Sequence, residues 1–339
     1  MEPSMKHKIE ESLVEKRENL VEWLNEVTTT ANAAPPDELE VEAVQTHLQE
    51  IDTALEKAEQ GTLGECEVCC DEVDDTLLEM DYTACVCLSH LSPDERSKLE
   101  AELEFSQVIQ RAMLPQQAPL LSDLDMAAYN RPAQIVSGDF FDFFPFHDGA
   151  QGIAIGDVVG HGVSAGMLMS SIQTALHLLA PESDSPATVL ERINQLFLHN
   201  IHYTTFATVF LASFDSNTRE LTYANAGHNP PLLYCPQYQR LTSLNPTGAA
   251  IGLLDDYPLG IATLPLVSGD ILLMYTDGLV EASDGTVDAF GNERLAELIQ
   301  TSAGSSAAEI VHLVSQELER YLEGRTPEDD ITFVVMKVN

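Results

Sequence analysis

The chain has 339 residues, 44% of them apolar, which is material for two compact domains with cores of their own. Lys and Arg total 16 against 55 Asp and Glu, a formal net charge of −39 at pH 7; a field of that sign repels a phosphate backbone, so nucleic acid is not an expected partner. No window approaches the roughly 20 uninterrupted apolar residues of a membrane span, and the charged segment Met1 to Glu11 leads into no apolar run, so a cytoplasmic protein without membrane contact is expected.

Residues 1–62 predict an antiparallel helical hairpin. Leu13, Leu20 and Val27 recur at intervals of seven with Leu24 beside them, and Val41, Val44, Leu48, Ile51 and Leu55 alternate steps of three and four. The stretch from Thr28 to Pro36 turns the chain back, and Asp37 with Glu40 forms a capping pattern. Heptads do not name their partner helix, so a dimerising coiled coil is the alternative.

Five of the six cysteines fall between Cys66 and Cys87, a clustering that points to a metal site over a disulfide framework. Cys66, Cys69, Cys87 and His90 form C-x-x-C-x17-C-x-x-H, two knuckles able to fold over one Zn²⁺, with Cys85 and Cys70 as alternative ligands. A purely structural zinc and a metal-free patch of redox thiols are the plainer readings. The glycine-marked approach from Ile51 to Cys66, the seventeen-residue gap and Leu77-Leu78-Glu79 resemble the zinc fingers of DksA/TraR type, over about residues 5–95. The resemblance implies a zinc finger at 63–91. His90 stands where that family usually has a cysteine, and the turn from Thr28 to Glu38 lacks the acidic D-x-x-D-x-A tip that works inside RNA polymerase. The module therefore reads as a sensor or scaffold, with DksA-like transcription regulation as the alternative.

Residues 92–115 predict a linker helix. Ser92-Pro93-Asp94-Glu95 supplies an N-cap and a proline at the first helical position, Leu99, Leu103, Phe105, Val108, Ile109 and Ala112 an apolar face, and Pro115 and Pro119 the stop. The helix joins the two halves and is the candidate to carry a signal between them. Its apolar face permits a homodimer.

From residue 116 to 339 short apolar runs alternate with turns. Met126–Tyr129, Gly152–Ile155, Phe206–Phe214, Leu221–Ala224, Ile271–Tyr275 and Ile331–Val338 predict strands; Ser164–Leu179, Ser185–His202, Glu293–Thr301 and Ala307–Glu323 predict helices. Strands in succession followed by helices indicate an α+β sandwich.

Four motifs set aspartates in turns beside these runs: Ser137-Gly-Asp-Phe-Phe-Asp142, Asp157-Val-Val-Gly-His-Gly162, Thr276-Asp-Gly-Leu-Val-Glu281 and Glu328-Asp-Asp-Ile-Thr332. Carboxylates next to buried hydrophobic segments are costly unless they meet a cation, and oxygen ligands suit Mg²⁺ or Mn²⁺. Together with Gln110-Arg-Ala-Met-Leu-Pro115 and Asn225-Ala-Gly-His-Asn-Pro-Pro231, the motifs resemble the metal-dependent PPM protein phosphatases of the SpoIIE/RsbU branch, which regulate bacterial sigma factors. The resemblance covers residues from about 106 to 339 and implies an α/β-β/α sandwich of two antiparallel sheets flanked by helices.

It further implies that Asp139, Asp157, Asp277 and Asp330 bind two Mn²⁺ or Mg²⁺ ions, with the Val158 carbonyl as a further ligand and Asp142 and Asp329 as second-choice ligands. Such ions activate a water for in-line attack on a phosphoserine phosphorus without a phosphoenzyme. His161 is the nearest candidate to protonate the leaving group, with helix capping or packing the equal alternative. His228 and Asn229 read as structural residues of a hairpin turn. The implied substrate is a phosphorylated anti-anti-sigma protein of STAS type in a partner-switching pathway. An inactive phosphatase-fold scaffold is the alternative.

Overall fold

The computed structural model describes residues 13, 14, 17, 21, 48, 49, 51–58, 60–73, 85–160, 162–200, 206–254, 258–283 and 289–339. The chain divides into two compact units, Met1–Glu102 and Leu103–Asn339.

In the first unit residues 51–58 are helical, and Ile51 and Ala54 cluster with Leu13 and Leu63 away from solvent. Arg17 pairs with Asp52 at 2.6 Å. Leu20, Leu24, Val27, Val41, Val44 and the turn at 28–36 lie outside the described residues, as do Leu77, Leu78 and Glu79. Helix α1, Pro93–Met113, begins with the proline and receives its first turn at Ser92, whose carbonyl accepts the Arg96 N–H at 2.9 Å. Phe105, Val108 and Ile109 are exposed along it.

The second unit stacks four layers. One sheet runs β1-β10-β9-β6-β7 and the other β2-β3-β4-β5-β8; every pairing is antiparallel. The strands are β1 (Leu124–Arg131), β2 (Phe140–Pro145), β3 (Gln151–Val158), β4 (Ala207–Asp215), β5 (Glu220–Ala226), β6 (Leu232–Cys235), β7 (Arg240–Ser243), β8 (Ala262–Pro265), β9 (Ile271–Tyr275) and β10 (Ile331–Val338). Helices α2 (Gly162–Leu179) and α3 (Pro186–Asn200) lie in the first half; α4 (Asp277–Glu281), α5 (Asn292–Thr301) and α6 (Ala307–Leu322) lie in the second.

Alternation along the strands sends residues to two cores. Ile153, Ile155, Phe210, Phe214, Met274, Val334 and Met336 fill the space between the sheets. On the outer faces, Met169, Ile172, Leu176 and Leu190 of α2 and α3 cover one sheet, and Ile310, Val314 and Leu318 of α6 cover the other. Helix α2 is also the one described helix long and apolar enough to cross a membrane by composition; here its buried stripe belongs to the core.

Strands β2, β7 and β8 and the short α4 add to the elements expected from sequence. Strands β5 and β6 differ from expectation more instructively. They belong to different sheets, so the Asn225–Pro231 turn is a crossing between layers and not a hairpin.

Candidate functional site

Both sheets deliver carboxylates to one end of the sandwich. Asp139 precedes β2 and Asp157 lies near the end of β3; Asp277 opens α4 after β9, and Asp329 and Asp330 precede β10. Asp139 and Asp330 are buried, Asp157 and Asp277 half-buried and Asp329 exposed, so the cluster grades from a floor to a mouth.

The floor is tightly held. Thr276 Oγ1 donates to Asp139 Oδ2 at 2.7 Å, linking the end of one sheet to the start of the other. Asp330 accepts N–H groups at both oxygens, from Ala133 at Oδ1 and Gly138 at Oδ2, each at 2.7 Å. Asp330 is thus an anchor that pins the β1–β2 connection to β10. Its neighbour Asp329 spends only Oδ1 on a local N–H, that of Asp330 at 2.8 Å, and Asp277 Oδ1 takes the Gly278 N–H at 2.9 Å. The sequence expectation gave the ligand role to Asp330 and the secondary one to Asp329; in the structure both Asp330 oxygens hold N–H groups, whereas these bonds leave Asp329 Oδ2 uncommitted.

Two glycines bring the backbone close enough for this arrangement. A Cβ at Gly138 would stand 2.8 Å from the Val158 carbonyl oxygen, and one at Gly278 only 2.1 Å from the Asp330 carbonyl oxygen. Bare backbone at Gly138 makes room for the Val158 carbonyl to approach it closely.

Among the described residues, no ion pair compensates these charges. Burial, then the charges of Asp157 and Asp330, holds Asp139 well above the usual carboxylate range, against the hydroxyls of Thr276 and Thr332. Burial and the charges of Asp277, Asp329 and Asp330 push Asp157 up to about 7. Asp277 is raised by burial and by Asp329 and Glu281, and Asp330 by burial against its two N–H donors. Converging oxygen ligands that repel one another fit a divalent cation, which removes the repulsion on binding.

Asp142 lies apart. Its Oδ2 receives Gln173 Nε2 at 2.8 Å and contacts His177 Nε2 at 2.8 Å, and its Oδ1 takes the Phe143 N–H at 2.7 Å, so it serves the packing of α2 on β2 and not the cluster. His161 lies outside the described residues. Sequence reading missed Thr276 and Thr332 as partners of Asp139, although both stand inside the acidic motifs that carry the ligands.

In the first unit the ligand atoms of Cys66, Cys69, Cys87 and His90 all lie within 4.8 Å of one another. Cys66 Sγ is 3.6 Å from His90 Nδ1 and Cys69 Sγ is 3.8 Å from Cys87 Sγ. Tetrahedral zinc with Zn–S bonds of roughly 2.3 Å separates its ligand atoms by about 3.7 Å. Although burial raises the Cys66 thiol, N–H groups of Cys87, Cys69 and Val68 bring it down to about 6. Burial and the neighbouring Cys66 and Cys69 push Cys87 up to about 12. The set fits a cation able to stabilise several thiolates at once.

A family profile described as Stage II sporulation protein E (SpoIIE) matches residues 147–339, more than half of the chain. The chain belongs to that family. Protein IcfG of Synechocystis sp. is 32% identical to this SpoIIE-family chain over 267 residues, covering 70% of it and 42% of IcfG. Phosphoserine phosphatase RsbU of Bacillus subtilis is 29% identical over 243 residues, covering 71% of each chain. The chain therefore spans less than half the length of IcfG and about seven tenths of RsbU. Among solved structures, the SiaA-PP2C domain of Pseudomonas aeruginosa superposes with a TM-score of 0.65 at 24% identity, covering 72% of this chain and 99% of that domain, a likeness of fold. The second unit of this SpoIIE-family chain thus has the PP2C fold.

Proposed function

We propose that this SpoIIE-family chain is a cytoplasmic, metal-dependent protein serine/threonine phosphatase that hydrolyses phosphoserine on a small anti-anti-sigma (STAS-type) protein. In this reading a helical hairpin over 1–62 and a zinc finger over 63–91 control the phosphatase domain, 116–339, through the linker helix 92–115. The observation that carries the catalytic part is the convergence of Asp139, Asp157, Asp277 and Asp329 from two sheets onto one end of the sandwich, with the proton affinities of Asp139, Asp157 and Asp277 raised by burial and by neighbouring carboxylates. Similarity to the phosphoserine phosphatase RsbU supports phosphoserine as the substrate chemistry.

Asp139, Asp157, Asp277, Asp329 and the Val158 carbonyl would hold two Mn²⁺ or Mg²⁺ ions. Such ions supply, when bound, an activated water and neutralisation of the phosphoryl oxygens. The remaining work belongs to the chain. Thr276 orients Asp139, Asp330 ties the two sheets together, and Gly138 leaves the space that the Val158 carbonyl occupies. His161, four residues after Asp157, is the proposed proton donor to the leaving serine oxygen. Cys66, Cys69, Cys87 and His90 would hold one Zn²⁺, in a sensory or structural role. The exposed Phe105, Val108 and Ile109 support a homodimer through α1.

The test is phosphate release from candidate phosphoserine STAS proteins with Mn²⁺. The expected result is turnover abolished by EDTA and by Asp277→Ala. Metal-independent release, or none from any phosphoserine substrate, would contradict it.

A further inference from the structure

The crossing from β5 to β6 carries a buried histidine that the proposed chemistry does not use. His228 is 2% exposed. Asn225 clasps its main chain from both sides, accepting the His228 N–H at Oδ1 (2.8 Å) and donating from Nδ2 to the His228 carbonyl (3.1 Å). Asn225 is fixed in turn, since its carbonyl accepts the N–H groups of Thr247 and Gly248, and Thr247 Oγ1 accepts its N–H at 2.9 Å. Gly227 takes φ +70°, and a Cβ there would stand 3.0 Å from the Ala250 nitrogen. The turn sets the imidazole's place before the ring finds any partner.

The ring lies on a crossing between the two sheets that carry the acidic site. Its Nδ1 lies 2.9 Å from Thr208 Oγ1, and Thr208 on β4 is the direct cross-strand neighbour of Asp157 on β3. Among the described residues its Nε2 has no hydrogen-bond partner. The crossing then enters β6, whose Leu232 pairs with Leu273 of β9 two residues before Tyr275, while burial pulls the imidazole down to about 4. Next after Tyr275 come Thr276, which holds Asp139, and Asp277. A neutral imidazole therefore stands between the strand beside Asp157 and the strand end that delivers Asp277, and those strands belong to different sheets.

We propose that His228 is a positioning residue for the cation site, setting the separation of Asp157 and Asp277 by spanning the two sheets that carry them. The inference rests on the reading of these carboxylates as cation ligands. Burial keeps His228 from substrate, so it acts through Thr208 and the β9 end alone. A histidine that merely packed there would contribute to stability and leave cation affinity unchanged.

The experiment is calorimetric titration of the zinc-loaded full chain with Mn²⁺ alone, alongside thermal unfolding without Mn²⁺, for the parent, His228→Gln, His228→Leu, Thr208→Val and the His228→Leu/Thr208→Val pair. Partners that orient metal ligands are worth about 10–100-fold in metal affinity. His228→Leu is expected to weaken Mn²⁺ binding by about 10-fold or more. The expected order is that His228→Gln, which keeps a polar bridge, loses less, and that the double variant loses less than the two singles combined. Folded variants that bind Mn²⁺ as tightly as the parent would overturn the proposal while leaving the phosphatase reading intact. If His228→Leu does not fold, Thr208→Val decides by the same criterion. A parent that binds no Mn²⁺ overturns both.

Discussion

Thr276 Oγ1 donates to Asp139 Oδ2 at 2.7 Å while accepting the Thr332 N–H at 3.0 Å. A hydroxyl has one proton, so Thr276 commits it to Asp139 and leaves its lone pair for Thr332. Thr276→Val keeps the shape and strands both partners in a buried site. The expected cost is about 1–3 kcal/mol of stability, with weaker Mn²⁺ binding. Urea unfolding and Mn²⁺ titration check this; a variant equal to the parent in both would refute the role.

Gly278 sits where a methyl group would collide with the Asp330 carbonyl. Gly278→Ala must push the start of β10 away from α4, displacing Asp329 and Asp330 together. A loss of about 1–3 kcal/mol is expected from such overpacking, read as a lowered thermal midpoint. An unchanged midpoint would mean that the two segments separate freely.

The acidic cluster gives metal-free stability a defined pH dependence. Burial and neighbouring charges push Asp157 up from 3.8 to about 7, and Asp139, Asp277 and Asp330 are raised too. Carboxyls raised in this way bind protons more tightly in the folded chain. Their contribution is complete below about pH 4 and fades as pH rises to about 7. Metal-free thermal midpoints should fall across that interval. Self-repulsion of the acidic chain acts in the same direction, so the decisive readout is Mn²⁺, which should flatten the slope by replacing the protons. A slope indifferent to Mn²⁺ would contradict the cation reading.

Zinc analysis of the purified chain should return one equivalent, lost in Cys66→Ser and Cys69→Ser. Cys70→Ser should retain it, because Cys70 is exposed and falls outside the four-ligand cluster. Zinc far below one equivalent, or its loss in Cys70→Ser, would remove the Cys66, Cys69, Cys87 and His90 assignment.

Much of the second unit was legible because its helices and long strands are periodic and its motifs short. Strand β2 was missed because Phe140, Phe141, Phe143 and Phe144 surround one aspartate without clean alternation; both faces of this strand meet apolar neighbours. Strands β7 and β8 are four-residue sheet edges with half-exposed patterns, too short to carry a period. Asp329 and Asp330 could not be told apart by motif. Adjacent residues at a strand entrance point in different directions, and only the N–H donors of Ala133 and Gly138 reveal which one is anchored. The turn at His228 read as a hairpin because spacing alone cannot report that its two strands join different sheets.

The most direct measurement is anomalous scattering from crystals of the full chain soaked in Mn²⁺. Density for manganese is expected among Asp139, Asp157, Asp277 and Asp329, within bonding distance of the Val158 carbonyl oxygen. Full Mn²⁺ occupancy elsewhere, or an empty carboxylate cluster under conditions that support phosphate release, would contradict it.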